Sequence, residues 1–165
     1  MTEDQGAPGG ASLSFVSSSE SDTLRLGRAL GGILRGGDVV FTEGSLGVGK
    51  TCLIKGICAG LGFDGRVRSP SFAVVNQYAG RCGIYHVDLY RIPDDSPELE
   101  DLSRQEYFSD DVVTLVEWGE KLASWGVKPA LNVRMRIGEG ERRLIDIEAA
   151  DPEPARRIRA LRPAR

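Results

Sequence analysis

The chain has 165 residues and a net charge of −3, which fits one domain that buries its own core and argues against nucleic-acid binding through a dominant basic face. No apolar run approaches the roughly 18 residues that span a bilayer, and the first residues lack the features of a secretory signal. One histidine and three cysteines, at positions 52, 58 and 82, are too few for a Cys/His zinc site or a closed disulfide framework. We therefore expect a cytoplasmic protein with reduced thiols and no membrane segment.

The composition divides the chain into three zones. Residues 1–12 are mainly Gly, Ala, Pro and polar residues, too poor in apolar side chains to offset the entropy of ordering, and predict a disordered tail. Residues 13–149 are patterned throughout and predict one folded domain. Residues 150–165 contain five arginines and predict either a solvated terminal helix or a loose basic tail.

The first half of the patterned region alternates helix and strand signals. Ser19 and Asp22 resemble a capping box and precede apolar residues at helical spacing, which predicts a helix that ends near Gly36. The continuous apolar run 39–42 is typical of a strand buried on both faces. A glycine-rich turn follows, and then a second helix with apolar residues at positions 54, 57, 58 and 61.

The second half contains the signals of two hairpins and one more buried strand. Alternating segments predict the hairpins at 71–78 with 81–87 and at 131–137 with 143–147. The acidic stretch 93–106 predicts one short helix, and the apolar run 112–116 predicts a strand. The predicted fold is a single α/β domain whose mixed sheet, central parallel strands plus antiparallel hairpins, is flanked by helices.

The glycine-rich turn carries the most specific signal. Residues 44–51, Gly-Ser-Leu-Gly-Val-Gly-Lys-Thr, match the phosphate-loop pattern G-x-x-x-x-G-K-[ST] and stand between a predicted strand and a predicted helix. In such a loop the backbone N–H groups surround phosphates at a helix N-terminus. Lys50 would reach the β- and γ-phosphates, and the Thr51 hydroxyl would bind Mg²⁺. The expected fold is therefore that of a P-loop NTPase.

A P-loop NTPase also needs a carboxylate at the end of a neighbouring buried strand. Asp88 ends the segment 83–88, and Glu117 ends the segment 112–117. Either acid could instead be an ordinary turn or helix-cap residue. No N-K-x-D or D-x-x-G segment supports binding of guanine nucleotides. His86 either bonds near the site or is a structural histidine, and Arg66 and Arg68 either contact phosphate or lie in a solvated loop.

Four motifs in the same order and spacing resemble the TsaE (YjeE) family, small bacterial P-loop ATPases of tRNA threonylcarbamoyladenosine (t6A) biosynthesis. The resemblance covers about residues 18–147. The motifs are E-G-S-L-G-V-G-K-T at 43–51, R-S-P-S-F at 68–72, H-V-D-L-Y-R at 86–91 and L-V-E-W at 115–118.

The resemblance implies roles for single residues. Thr51 and Glu117 match the Mg²⁺ ligands, Asp88 matches an acid needed for activity, and Ser69 and Ser71 match a switch-like loop near the γ-phosphate. Trp118 matches the tryptophan that follows the acid. Cys52 replaces the Thr or Ser common beside the α-phosphate. The implied nucleotide-binding set is Glu20, Leu46, Gly47, Val48, Gly49, Lys50, Thr51 and Cys52.

The leading hypothesis is a Mg²⁺-dependent ATPase, slow alone and stimulated by its partners TsaD and TsaB, that contacts tRNA only through their complex. Lys50, Asp88 and Glu117 would be its catalytic residues. An alternative is a small kinase that uses Asp88 as the base for an acceptor hydroxyl. A third is a binding module switched by ATP or ADP, in which hydrolysis is too slow to matter.

Overall fold

The computed structural model describes residues 10–70, 72–104 and 106–161. Within these ranges it contains seven strands, five helices and one turn of 3-10 helix at Glu106–Phe108. The strands are β1 (Ala11–Ser17), β2 (Val39–Glu43), β3 (Val75–Ala79), β4 (Gly83–Asp88), β5 (Val112–Glu117), β6 (Leu131–Ile137) and β7 (Arg143–Ala149). The helices are α1 (Glu20–Ile33), α2 (Lys50–Gly60), α3 (Pro97–Ser103), α4 (Glu120–Ala123) and α5 (Pro152–Arg159).

All seven strands form one sheet in the order β1-β7-β6-β2-β5-β4-β3. The central strand β2 runs parallel to β5 and β6, and β4 runs parallel to β5. The antiparallel pairs β3–β4 and β6–β7 are the two predicted hairpins, and β1 pairs with the outer edge of β7. The prediction of a mixed sheet with central parallel strands is confirmed. The carboxyl ends of β2, β4 and β5 lie together at one edge, where ligands bind in sheets of this kind.

Apolar side chains cover both faces of the sheet. On one face, α1 and α2 pack through residues such as Leu30 and Ile57 against the inward side chains of the central strands. On the other face, Leu99 of α3 and Leu122 of α4 pack with Phe41 of β2. Burial of β2 from both sides explains its continuous apolar sequence. Across the described ranges, no helix combines the length and apolar content needed to cross a bilayer.

The predicted capping signal starts α1. The backbone N–H of Asp22 donates to the Ser19 hydroxyl at 3.1 Å, and the Asp22 carboxylate accepts from the backbone N–H of Ser18 at 2.9 Å. The first bond satisfies one of the free N–H groups at the helix start, and the second fixes the residue before the N-cap. The start of α1 matters for the site because it places Glu20 beside the first turn of α2.

The chain departs from the sequence expectations at its N-terminal end and around residue 71. β1 begins at Ala11, inside the stretch assigned to a tail, because its whole length pairs with β7 from Ala11↔Ala149 to Ser17↔Arg143. Residues 1–9 lie outside the described residues. Of the two states considered for the C-terminal zone, residues 152–159 form the helix. β3 begins at Val75 rather than at 71, because Val74 adopts a left-handed φ of 63° that ends the extended backbone.

Candidate functional site

The phosphate loop connects β2 to α2 at the carboxyl edge of the sheet. Gly44 and Gly49 have φ of 142° and 116°, a region that side chains disfavour. A Cβ on Gly44 would also lie 2.5 Å from the Met135 carbonyl oxygen. The first turn of α2 has no side-chain cap, so its N–H groups remain available to an anion. The loop therefore has the backbone of an anion-binding turn.

Lys50 lies within this loop and is only 4% exposed. Its Nζ donates to the carbonyl oxygens of Gly44 at 2.6 Å and Ser45 at 2.9 Å, and lies 4.4 Å from the centroid of the Trp118 ring. Burial lowers the pKa of Lys50, whereas the nearby carboxylates of Glu117 and Asp88 act to raise it. The cation is thus held where the loop would receive phosphate.

A chain of hydrogen bonds links α2, β5 and β4 behind the loop. The Thr51 hydroxyl donates to Glu117 Oε1 at 2.9 Å, and His86 Nε2 lies 2.8 Å from the same oxygen. Glu117 is 4% exposed and His86 is fully buried. The two predicted metal ligands, Thr51 and Glu117, are therefore in direct contact, and His86 is bonded to one of them.

Asp88 pairs in register with Glu117 but has different partners. Its Oδ2 accepts from the Ser69 hydroxyl at 2.9 Å, and its Oδ1 accepts from the backbone N–H of Tyr90 at 3.0 Å. Asp88 thus joins the loop around Ser69 to the end of β4. Ser71, the other predicted switch-loop residue, lies outside the described residues.

Two hollows meet at the phosphate loop. A cavity of about 450 Å³ is lined by loop residues together with Asp88, Glu117 and Trp118. A second hollow, of about 320 Å³, is lined by Glu20 and residues of the β6–β7 turn. Of the predicted nucleotide-binding residues, Leu46, Lys50 and Thr51 line the first hollow, Glu20 and Val48 line the second, and Gly47, Gly49 and Cys52 line both.

Arg143 is a site residue that the sequence did not indicate. Its Nε donates to the Val48 carbonyl oxygen at 2.9 Å, so β7 supports the phosphate loop directly. By contrast, neither Arg66 nor Arg68 is among the described residues that line the two hollows. The backbone N–H of Arg68 instead donates to the Tyr78 hydroxyl at 3.2 Å.

The donor set fits a hard divalent cation such as Mg²⁺. Thr51 and Glu117 offer oxygen atoms only, and no cluster of three or more His, Cys, Asp or Glu side chains suited to a metal occurs among the described residues. Mg²⁺ is typically held by one or two protein oxygens and completed by phosphates and water. The site would therefore hold the metal together with a nucleotide rather than in a cage of side chains.

Comparison with known proteins identifies the family. The model of the family described as "Threonylcarbamoyl adenosine biosynthesis protein TsaE" matches residues 17–145. The chain belongs to the TsaE family. The match includes the phosphate loop, Asp88 and Glu117, and it ends before α5.

Individual relatives agree with the family match. The TsaE protein of Treponema pallidum is 36% identical over 130 residues, covering 78% of this chain and 96% of that protein. The TsaE protein of Streptomyces coelicolor is 43% identical over 119 residues, covering 70% and 80% of the two chains. The crystal structure of Bacillus subtilis YdiB superposes with a TM-score of 0.75 at 26% identity, over 92% of this chain and 95% of that one. The fold is therefore that of a P-loop NTPase.

Proposed function

We propose that this TsaE-family protein is a Mg²⁺-dependent ATPase of t6A formation in the cytoplasm. The contact between Thr51 and Glu117, at 2.9 Å beside the buried Lys50, carries the proposal. A lysine and two oxygen donors thereby meet at one helix N-terminus, an arrangement that supports the binding of a Mg-nucleotide. The family name and the names of the relatives support the assignment to t6A formation.

Each residue of the site would either neutralise charge on the phosphates or position a reacting group. The first-turn N–H groups and Lys50 would bind the β- and γ-phosphates, and Lys50 would exchange its bonds to the Gly44 and Ser45 carbonyls for phosphate oxygens. Thr51 and Glu117 would hold Mg²⁺, which when bound neutralises charge on the transferred phosphoryl group. Asp88 would position the Ser69 loop over the γ-phosphate. Catalysis would then rest on positioning and electrostatics.

ATP hydrolysis would drive or reset a complex of TsaD and TsaB. Large apolar side chains are exposed near the first cavity, with Leu46 68%, Tyr90 47% and Phe72 88% accessible. Arg91, which lines that cavity, lies over the Phe72 ring at 4.9 Å. Such a rim suits a protein partner better than a small acceptor. With a net charge of −3, the chain would reach tRNA through the complex.

The kinase alternative is less well supported. It requires Asp88 to face an acceptor hydroxyl as a base, whereas its two oxygens accept hydrogen bonds from Ser69 and from the backbone of Tyr90, which suit a positioning role. Phosphate found on an acceptor, rather than free in solution, would favour the kinase.

The test is phosphate release from Mg-ATP by the protein alone and with TsaB and TsaD. We expect slow release that rises with the partners and falls by about 100-fold or more in Lys50→Ala and Glu117→Ala. Lys55→Ala, an exposed lysine on the same helix, is the matched control and should retain full activity. If the partners change neither hydrolysis nor binding, the proposal fails. If ATP and ADP alter partner binding without hydrolysis, the switched binding module replaces it.

A further inference from the structure

His86 is a buried polar residue whose presence is not explained by packing alone. It lies on β4, between β5 and the edge strand β3, and is fully buried. An apolar side chain could fill this volume without losing hydration, whereas a buried imidazole must find hydrogen-bond partners. Nδ1 of His86 has none among the described residues. Burial of the imidazole therefore costs free energy, and its one hydrogen bond is to Glu117.

The sheet register brings these two side chains together. His86 pairs with Leu115 on β5, so Glu117 is its diagonal neighbour on the same face, two residues further along the strand. The resulting distance from Nε2 to Oε1 is 2.8 Å. Because a carboxylate only accepts, Nε2 of His86 carries a hydrogen and donates it to Oε1.

This bond determines which oxygen of Glu117 is free. Oε1 accepts from both Thr51 and His86, whereas Oε2 accepts no hydrogen bond from any described residue. Glu117 lines the first cavity. Two hydrogen bonds to Oε1 restrict rotation of the carboxylate and leave Oε2 free to accept another partner.

We propose that His86 is a positioning residue that fixes Glu117 through Oε1 and so presents Oε2 to the metal of a Mg-nucleotide. The inference rests on the proposed Mg-nucleotide function. Partners of this kind, bonded to a ligand rather than to the metal, orient the ligand, and their loss typically weakens metal affinity or activity about 10- to 100-fold. His86 itself would act through Glu117 and not as a ligand of the metal.

Three substitutions separate the hydrogen bond from the volume and the polarity of the side chain. In His86→Gln the amide nitrogen reaches about as far as Nε2 and can still donate to Glu117. In His86→Asn the amide nitrogen reaches only as far as Nδ1, so the variant keeps a polar group but loses the bond. His86→Leu fills the space with no donor.

The measurement is the affinity for the nonhydrolysable ATP analogue AMP-PNP, by calorimetry, in Mg²⁺ and in EDTA. We expect His86→Leu and His86→Asn to reduce the gain in affinity due to Mg²⁺ by about tenfold or more, with the affinity in EDTA unchanged. His86→Gln should recover most of that gain. A full Mg²⁺ gain in His86→Leu, or a loss in His86→Gln as large as in His86→Leu, would overturn the proposal.

The wild-type protein provides a test that does not depend on folding of the variants. His86 is the only histidine, so ¹⁵N NMR of the untagged protein shows a single imidazole. We expect its hydrogen on Nε2, and we expect the Nε2 resonance to move when Mg²⁺ is added to the AMP-PNP complex. An Nε2 chemical shift that does not change when Mg²⁺ is added would contradict the proposal. If the wild-type protein does not bind AMP-PNP at all, the proposed function fails instead.

Discussion

At the scale of single residues, the site is held in shape by contacts among its own members. Trp118 has a left-handed φ of 61°, and its backbone N–H donates to the Thr42 carbonyl oxygen at 2.9 Å. The next residue, Gly119, is packed so closely that a Cβ would lie 2.3 Å from the Phe41 ring. These contacts fix the Trp118 backbone, and its ring lies over Lys50. A strained residue fixed in this way beside a phosphate loop is typical of a functional site.

Cys52 provides a chemical probe of the nucleotide site. Burial, aided by the negative charge of Glu20, raises the pKa of the Cys52 thiol. Because the thiolate is the reactive form, we expect iodoacetamide to modify Cys52 more slowly than an exposed thiol at pH 8, with a rate that keeps rising at higher pH. Saturating Mg-AMP-PNP should block the reaction, since Cys52 lines both hollows.

The chain contains an internal control for this measurement. Tryptic cleavage separates Cys52, in residues 51–55, from Cys58, in residues 56–66. Burial raises the pKa of Cys58 to about 12, so Cys58 should stay unmodified with and without nucleotide. Mass spectrometry of the two peptides gives both rates. Alkylation of Cys52 that is indifferent to nucleotide would mean that the nucleotide binds elsewhere.

The residues that the structure brings together at the candidate site could be found from the sequence where their signal is local. Lys50 and Thr51 belong to a contiguous motif, and Glu117 ends a strand whose burial is evident from its composition. The bond of Arg143 to the Val48 carbonyl joins residues 95 positions apart. Nothing in the sequence around Arg143 distinguishes it from a solvated arginine, so only the strand pairing of β7 could place it.

At the scale of elements, α1 and α2 approach each other through glycines. Gly27 and Gly31 of α1 face Gly56 and Gly60 of α2, and a Cβ on any of them would lie 2.2 to 2.5 Å from a backbone oxygen of the other helix. The close contact sets the position of α2, whose N-terminus forms the phosphate site. Without this close contact, the four glycines would only lower the stability of the two helices.

Adjacent glycines of α1 give a matched pair of substitutions. A Cβ on Gly31 would lie 2.2 Å from the Ile57 carbonyl oxygen, whereas a Cβ on Gly32 would meet nothing within 4 Å. We expect Gly31→Ala to lower the free energy of unfolding by about 2–3 kcal/mol through overpacking. Gly32→Ala should raise it by roughly 0.5–1 kcal/mol through helix propensity. Urea unfolding measures both, and equal effects would show that the helices are not in close contact here.

The sequence did not predict elements that are very short or that lie next to a glycine-rich segment. The β1 segment alternates serine with apolar residues, but it stands next to a glycine-rich stretch, and the composition predicts a tail for its first two residues. It is a strand because β7 offers a free edge. α4 spans only four residues, too few for any periodic signal.

At the scale of the whole molecule, α5 closes the fold on the side of α1. Pro154, Ala155 and Ile158 are buried, and the last two belong to the core that includes α1, β1 and β7, while the arginines of the helix are exposed or paired. Arg157 binds both carboxylate oxygens of Asp38, at 2.6 and 2.9 Å, and also donates to the Ile33 carbonyl at 2.7 Å. The helix therefore clamps the end of α1 and the turn before β2, although it lies beyond the family match at residues 17–145.

Removal of this clamp should reduce stability without affecting nucleotide binding. The side chains of Arg157 and Asp38 are each 11% exposed, so loss of the guanidinium leaves a nearly buried carboxylate unpaired. We expect Arg157→Met, which keeps the aliphatic stem, to lower the free energy of unfolding by about 2–3 kcal/mol. Arg156→Met, at an exposed position of the same helix, should change it by less than about 0.5 kcal/mol.

The same pair of variants tests whether α5 is separate from the site. Among the described residues, those of α5 line neither hollow at the phosphate loop. The affinity for Mg-AMP-PNP should therefore be the same in Arg157→Met, Arg156→Met and the wild-type protein at temperatures where all are folded. A stability of Arg157→Met equal to that of Arg156→Met would show that the ion pair does not hold the helix. A loss of nucleotide affinity in folded Arg157→Met would instead show that the clamp, through α1, sets the position of Glu20 and the first turn of α2.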